Sequence, residues 1–258
     1  MTTWEEYIST YAMTPEQIEI FKKNNKQWSL EWESHSGGDM CYHVHLIYAI
    51  TRGINAQTVV ELGIRNGQST RAMLYGLSKT GGKLWSNDIE NCNHVCPPEF
   101  KKHWMFLHLS TDDFVSVIKK KNMEIDLLFI DADHSHEQSY KDFVNYEPFV
   151  RNNGFILMHD VYPAKESRKK WPGGAGGVWQ TWNKIEEKYG HNFDMLKIPY
   201  CSGLGLLRKH SGHKETPNDF YFGCDIDPYR YGGTDDNRHG VWKKEEFELW
   251  KQSKLNFD

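Results

Sequence analysis

The stretch from Thr58 to Thr70, TVVELGIRNGQST, restricts what this chain can fold into more than any other. Its first five residues, Thr58 to Leu62, form a short, largely apolar run with two adjacent valines, as expected of a buried strand. The run breaks at Gly63 and Gly67 and resumes as a helix, with the cap expected at Ser69 or Thr70. A strand, a glycine turn and a helix start together place backbone N–H groups at the carboxyl edge of a sheet. Open α/β folds bind nucleotide-like ligands there. The two glycines are expected to let a ligand come close to the backbone.

The spacing is Glu61-x-Gly63-x-x-x-Gly67, so the dinucleotide fingerprint G-x-G-x-x-G is not met. A pyrophosphate disfavours a carboxylate at Glu61, whereas a ligand with a cationic amino-acid portion tolerates one.

Further along, Lys83 to Asp88 reads as a second strand ending in an acid, where a doubly wound fold sets a carboxylate on ribose hydroxyls. Trp104 to Leu109 reads as a third strand, and Ser110, Thr111, Asp112 and Asp113 open the next helix. Ile125 to Ile130 is near-continuously apolar, as a central parallel strand should be, and delivers Asp131, Asp133, His134 and His136 to the same edge. A helix is expected from about Tyr140 to Val150, a turn at Arg151 to Gly154, and a strand from Phe155 to Met158 ending in His159-Asp160. Met195 to Tyr200 and Gly203 to Arg208 read as an antiparallel pair at the sheet edge. The fold expected is α/β: a doubly wound, mostly parallel, seven-stranded, Rossmann-like sheet with an antiparallel edge strand.

Three regions are expected: 1–40 as a helical cap or lid, 41–210 as the ligand-binding domain, and 211–258 as an extension packed on that domain or on a second subunit. The first carries a helix start at Thr14 to Gln17, and the last a short helix from Val241 to Trp250. Residues 34–39 and 162–177 are the loops where an acceptor's shape would be encoded, the second holding Lys165, Arg168, Lys169 and Lys170.

Net charge and apolar runs exclude several partners. A formal charge of −4 argues against bulk nucleic-acid binding. No apolar run approaches the ~20 residues of a membrane span. The start of the chain lacks signal-peptide character, and five scattered cysteines (41, 92, 96, 201 and 224) fit a reduced, cytoplasmic protein. Cys92, His94 and Cys96 have the look of a zinc half-site, but no second pair with suitable spacing follows.

Taken together, Glu61-x-Gly63-x-x-x-Gly67-x-Ser69-Thr70, the FIDADHSH segment from Phe129 to His136, and Gly154 to Val161 with its His159-Asp160 resemble the class I S-adenosylmethionine-dependent methyltransferases. The small-molecule O-methyltransferase branch with a DADHSYE…HD signature is the most similar. The resemblance covers roughly residues 45 to 208 and implies S-adenosylmethionine as cofactor. The sites it implies are Glu61 near the cation, Gly63, Ile64, Arg65, Asn66, Gly67 and Ser69 around the amino-acid portion, Asp88 on the ribose, Ser110, Thr111 and Asp112 by the adenine, and Asp131. Metal-dependent relatives bind Mg²⁺ at positions that fall on Asp131, His159 and Asp160. His159 departs from their acid or amide and admits Mn²⁺, Fe²⁺, Zn²⁺ or no metal. Without a metal, His134, His136 or His159 is the candidate base, His134 first, with Asp131 beside it.

The reaction implied is in-line methylation of a hydroxyl on a small-molecule or sugar-containing acceptor. A nucleotide or NAD-type enzyme on a similar sheet and a non-catalytic methyltransferase-like binding protein are the competing readings. A homo-oligomer is compatible with the aromatic C-terminal segment.

Overall fold

The computed structural model describes residues 39–162, 176–198 and 202–210. The expected helix starts at Thr14 and Val241, residues 163–175 of the 162–177 loop and almost all of the two terminal regions lie outside them. Within them run α1 (Val44–Gly53), β1 (Thr58–Leu62), α2 (Gln68–Thr80), β2 (Lys83–Asp88), β3 (Trp104–His108) and α3 (Thr111–Lys121). These are followed by β4 (Ile125–Ile130), α4 (His136–Tyr146), β5 (Val150–His159), α5 (Val178–Tyr189), β6 (Phe193–Ile198) and β7 (Leu204–Lys209).

The seven strands form one sheet in the order β3-β2-β1-β4-β5-β7-β6. The pairs from β3 to β5 are all parallel, and β7 runs antiparallel to both β5 and β6. The antiparallel strand therefore sits one position in from the edge, inserted between β5 and β6.

Alternation of side chains makes the sheet two-sided. Val59, Leu127, Phe129, Phe155, Leu157, Leu204 and Leu206 pack with α1 and α2. Their neighbours Val60, Leu62, Leu128, Ile130, Ile156, Met158 and Leu207 pack with α3, α4 and α5. Apolar residues at consecutive positions of one strand thus serve two cores, which is why β4 reads as an unbroken apolar run.

Several boundaries differ from the sequence expectation, each for a local reason. Helix α4 starts at His136 rather than near Tyr140, because Ser135 caps it by accepting from the Gln138 N–H at 3.2 Å. The span Arg151 to Gly154 is not a turn but the first part of β5, which begins at Val150. A register shift against β4 and a positive φ of 58° at Asn153 absorb the irregularity. Arg151 holds this end by donating to Asp126 at 2.6 Å, while Asp126 also accepts from the Gln57 and Thr58 N–H groups.

At the other end of β5, the chain leaves the sheet through Asp160, whose φ is 61°; a short polar side chain tolerates this left-handed turn. Cys92 and Cys96 are buried in two different apolar clusters, and burial pushes each thiol up to about 11.

Gly205 of β7 faces the fully buried Trp182 of α5, and a methyl group there would overlap the indole and meet Val161. Gly205→Ala is expected to cost about 1–3 kcal/mol through overpacking, read as a fall in unfolding midpoint with the native circular dichroism retained.

Candidate active site at the carboxyl edge

The β1–α2 turn is fixed from behind by Glu61. Its side chain is completely buried, and its two oxygens accept from Ser69 Oγ at 2.7 Å, Thr70 Oγ1 at 2.9 and 3.0 Å, and Ser86 Oγ at 2.7 Å. Ser86 in turn accepts from the Trp104 indole N–H at 2.9 Å. One carboxyl therefore ties β1 to β2 and to the first turn of α2. Burial pushes Glu61 up to about 7 in spite of the hydroxyl donors.

This geometry revises two expectations. Glu61 supports the turn from within and is enclosed by hydroxyls, where the sequence suggested a carboxylate beside a bound cation. Ser69 and Thr70 are not the cap: α2 is capped by Gly67 in the left-handed region, φ 73°, and the two hydroxyls already have Glu61 as their acceptor.

The glycines also serve the protein's own packing. At Gly63, φ 85°, a Cβ would run into the Asp131 carbonyl and Ala132; at Gly67 it would lie 2.6 Å from Val95 Cβ. Close approach is required, but by β4 and the 91–97 segment rather than by a ligand alone. Ile64 is buried beneath the turn, while Arg65 and Asn66 are exposed on its rim.

Asp88 secures the turn from the side of β2. Its Oδ2 accepts from the N–H groups of Ile64 at 2.8 Å and Arg65 at 3.1 Å, and its Oδ1 from that of Glu90 at 2.9 Å. Partial burial pushes its carboxyl up, but these backbone donors outweigh that and hold it below the usual carboxylate range. It stands ionised at the strand end where the sequence expected it.

Ser110, Thr111 and Asp112 open α3 and have structural partners. Ser110 caps by accepting from the Asp113 N–H, Thr111 Oγ1 accepts from Gln138 at 3.1 Å, and Asp112 pairs with Lys141 at 2.7 Å. Asn87, which the sequence did not single out, donates to the Leu109 carbonyl at 3.0 Å and holds this loop to β2.

The second half of the site lies at the ends of β4 and β5. His134 Nδ1 is 2.7 Å from Asp160 Oδ2, and its Nε2 is 3.4 Å from Asp131 Oδ1. His159 Nδ1 lies 3.4 Å from an oxygen of each carboxylate, from a side chain only 1% exposed. Behind it, His43 meets the His159 ring edge-on at 5.5 Å.

Hydrogen bonds to the two carboxylates push His134 up to about 11 against the opposing effect of burial. Burial alone would raise Asp131 and Asp160, but the two histidines hold both low, Asp131 at about 2. The site contains an imidazolium clamped between two anions.

The three histidines therefore separate. His136 is not in this group; its Nδ1 meets Thr181 Oγ1 at 2.8 Å and fastens α4 to α5. His159 lies beneath the carboxylates. His134 is 30% exposed at its side chain and can reach an entering molecule.

Among the described residues, Asp131, His134 and Asp160 offer donor atoms that lie within 4.8 Å of one another, while His159 of the expected set stands 3.4 Å from both carboxylates. The clue was an Asp131-x-x-His134 spacing that lies directly after β4. Two carboxylates and an imidazole are a donor set that fits a divalent ion.

Two predictions concern the buried carboxyl and the turn. For a carboxyl raised from 4.5 to about 7, folding favours the protonated form. The associated stability is fully present below pH 4.5 and falls as pH rises to 7, by ~3 kcal/mol at most. Glu61→Gln removes this component, so the stability difference between wild type and variant should change by that order between pH 4.5 and pH 8 in denaturant titrations. Gly63→Ala combines a left-handed backbone with backbone overlap at Asp131, and is expected to reduce soluble folded protein or lower the unfolding midpoint sharply.

Comparisons agree with this geometry. Residues 60–161 match a protein-family model described as a methyltransferase domain. Among solved structures, the O-methyltransferase from Bacillus cereus in complex with SAH superposes with a TM-score of 0.58 at 15% identity, covering 78% of this chain and 100% of that one. TomG, the O-methyltransferase from Streptomyces achromogenes in complex with SAM, gives 0.55 at 14% identity, over 82% of this chain and 92% of that one. The SAH-bound Podospora anserina methyltransferase gives 0.53 at 14% identity, over 80% and 94%. No curated protein matches the sequence significantly. No described helix is long and apolar enough to cross a membrane. Sheet order, glycine turn and the match over residues 60–161 agree: the described part of this chain has the fold of these methyltransferase structures.

Proposed function

We propose that the protein transfers a methyl group from S-adenosylmethionine to a hydroxyl oxygen of a small-molecule or sugar-containing acceptor. The observation that carries this reading is the placement of two complementary halves on one sheet edge. The β1–α2 turn and Asp88 form one half, and Asp131, His134 and Asp160 the other. The backbones of the two halves touch at Gly63 and Asp131. The structural relatives crystallised with SAH or SAM support the choice of cofactor.

In this reading the exposed rim of the turn, Arg65 and Asn66, and the N-terminus of α2 receive the amino-acid end of the cofactor. Asp88, ionised and fixed by backbone donors, accepts from the ribose. The acceptor oxygen attacks the methyl carbon, the carbon–sulfur bond breaks, and its electron pair neutralises the sulfonium. Alignment of the two reactants is the main catalytic demand.

The acceptor also loses a proton. In this reading the acceptor hydroxyl lies beside Asp131, His134 and Asp160, and His134, the most exposed of the three, is the group that meets it. While held as an imidazolium, His134 can only stabilise developing negative charge on the acceptor oxygen; it takes the proton once an entering group has displaced a carboxylate contact and left it neutral. A divalent ion held by Asp131, Asp160 and His134 would supply Lewis acidity that lowers the hydroxyl's pKa.

Calorimetric titration with S-adenosylmethionine, with NAD⁺ as control, tests the cofactor. Micromolar binding of the sulfonium ligand and no heat with NAD⁺ is expected, and the reverse would overturn the reading. Once an acceptor is found, His134→Gln should lower kcat by about 10²-fold or more while S-adenosylmethionine affinity stays near wild type.

A further inference from the structure

The two edges of the sheet differ in how they meet solvent. An edge strand offers unpaired N–H and C=O groups to a further strand, and charged side chains on it discourage that pairing. At one edge, β6 carries Asp194 and Lys197. At the other, β3 reads Trp104-Met-Phe-Leu-His108, with no lysine, carboxylate, proline or register shift, and among the described residues it pairs only with β2. Just past its end, the Leu109 N–H reaches the Asp88 carbonyl at 3.1 Å. By the two-residue repeat of a strand, the main-chain groups of Trp104, Phe106 and His108 therefore point away from β2. Ile89, Met105 and Val144 are the large apolar side chains that stand exposed among the described residues, and the first two lie at this edge.

The strand is also its own complement. Trp104 and Phe106 stack at 5.5 Å and Phe106 and His108 at 6.4 Å along one face, while Met105 and Leu107 alternate onto the other. Antiparallel pairing centred on Phe106 sets it opposite the partner's Phe106, Trp104 opposite the partner's His108, and Met105 opposite the partner's Leu107. Each side chain then lies on the same face as its counterpart. Charge selects the same arrangement. Lys101 and Lys102 precede the strand and Asp112 and Asp113 follow it, all four exposed. Antiparallel pairing carries the two lysines of each copy towards the partner's Asp112 and the partner's Asp113, whereas parallel pairing would set like charges together.

We propose that β3 is the contact surface for a second copy of this chain, paired antiparallel about a twofold axis at Phe106 so that two sheets become one. The contact is isologous, so it closes at two copies and leaves no free β3 edge. A stable interface buries about 1,200–2,000 Å² in total. The five residues of β3 supply part of that area, and the flanking segment Pro98–His103 and the first turn of α3 supply the rest. The pairing rests on the strand and its flanks alone and does not depend on the methyl-transfer reading.

Sedimentation velocity of the full chain over a range of micromolar concentrations should show a monomer–dimer equilibrium. Met105→Lys puts on the exposed middle of β3 the kind of charge that β6 already carries, and should raise the dimer dissociation constant at least ~10-fold with native circular dichroism retained. Phe106→Cys places two thiols beside the axis at a Cα separation of ~5.5 Å, which a disulfide spans. Mild oxidation should then give a dimer whose cross-link, located by mass spectrometry, joins position 106 of both copies. Hydrogen exchange on the wild type keeps the test decisive if a variant does not fold: the Trp104, Phe106 and His108 amides should gain protection as concentration rises. A monomer at every concentration, a dimer indifferent to Met105→Lys, a dimer of folded Phe106→Cys without the 106–106 cross-link, or amides whose exchange ignores concentration would each overturn the proposal.

Discussion

The buried carboxyl of Glu61 is the interaction on which the geometry of this domain depends. It sits on β1, whose neighbours are β2 and β4, at the place where the order of strands reverses. Burying an acid without partners would be very unfavourable, and three hydroxyls from two elements offset much of that cost. The raised pKa is what remains of the penalty. In return, β2 and α2 are held at fixed positions on either side of the glycine turn. A hydrophobic residue at this position would pack without specifying where the helix begins.

Most of the sheet was legible in the sequence because two-sided burial makes central strands apolar throughout. Ile125 to Ile130 and Val59-Val60 carry that signal directly. The start of β5 was hidden, because Arg151 to Gly154 have the composition of a turn, yet they extend as the first part of the strand, with Arg151 tied to Asp126. The start of α4 was hidden by the histidines around Ser135, which drew attention as chemistry rather than as a cap.

The site was legible by position and less so by role. Asp88, Asp131 and Asp160 stand at strand ends as their place in sequence implied. The roles of the histidines were set by contacts between elements far apart in the chain. His136 meets Thr181 of α5, and His159 lies beside both Asp131 and Asp160. No spacing rule within one segment reports such contacts. Gly63 was read as an opening for a ligand, yet its absent side chain first makes room for the backbone of Asp131.

That contact has a mechanical consequence. The Asp131 N–H also donates to the Leu62 carbonyl at 2.9 Å, and the Gly63 N–H to the Asn87 carbonyl at 3.0 Å, so main-chain bonds continue past the ends of β1, β2 and β4. The loops that leave these strands share one rigid frame. The span between whatever occupies the glycine turn and whatever meets Asp131 is therefore set by peptide geometry rather than by side chains. Surface loops around it can change length and composition and so retune which molecules enter, while the reach from one occupant to the other stays constant.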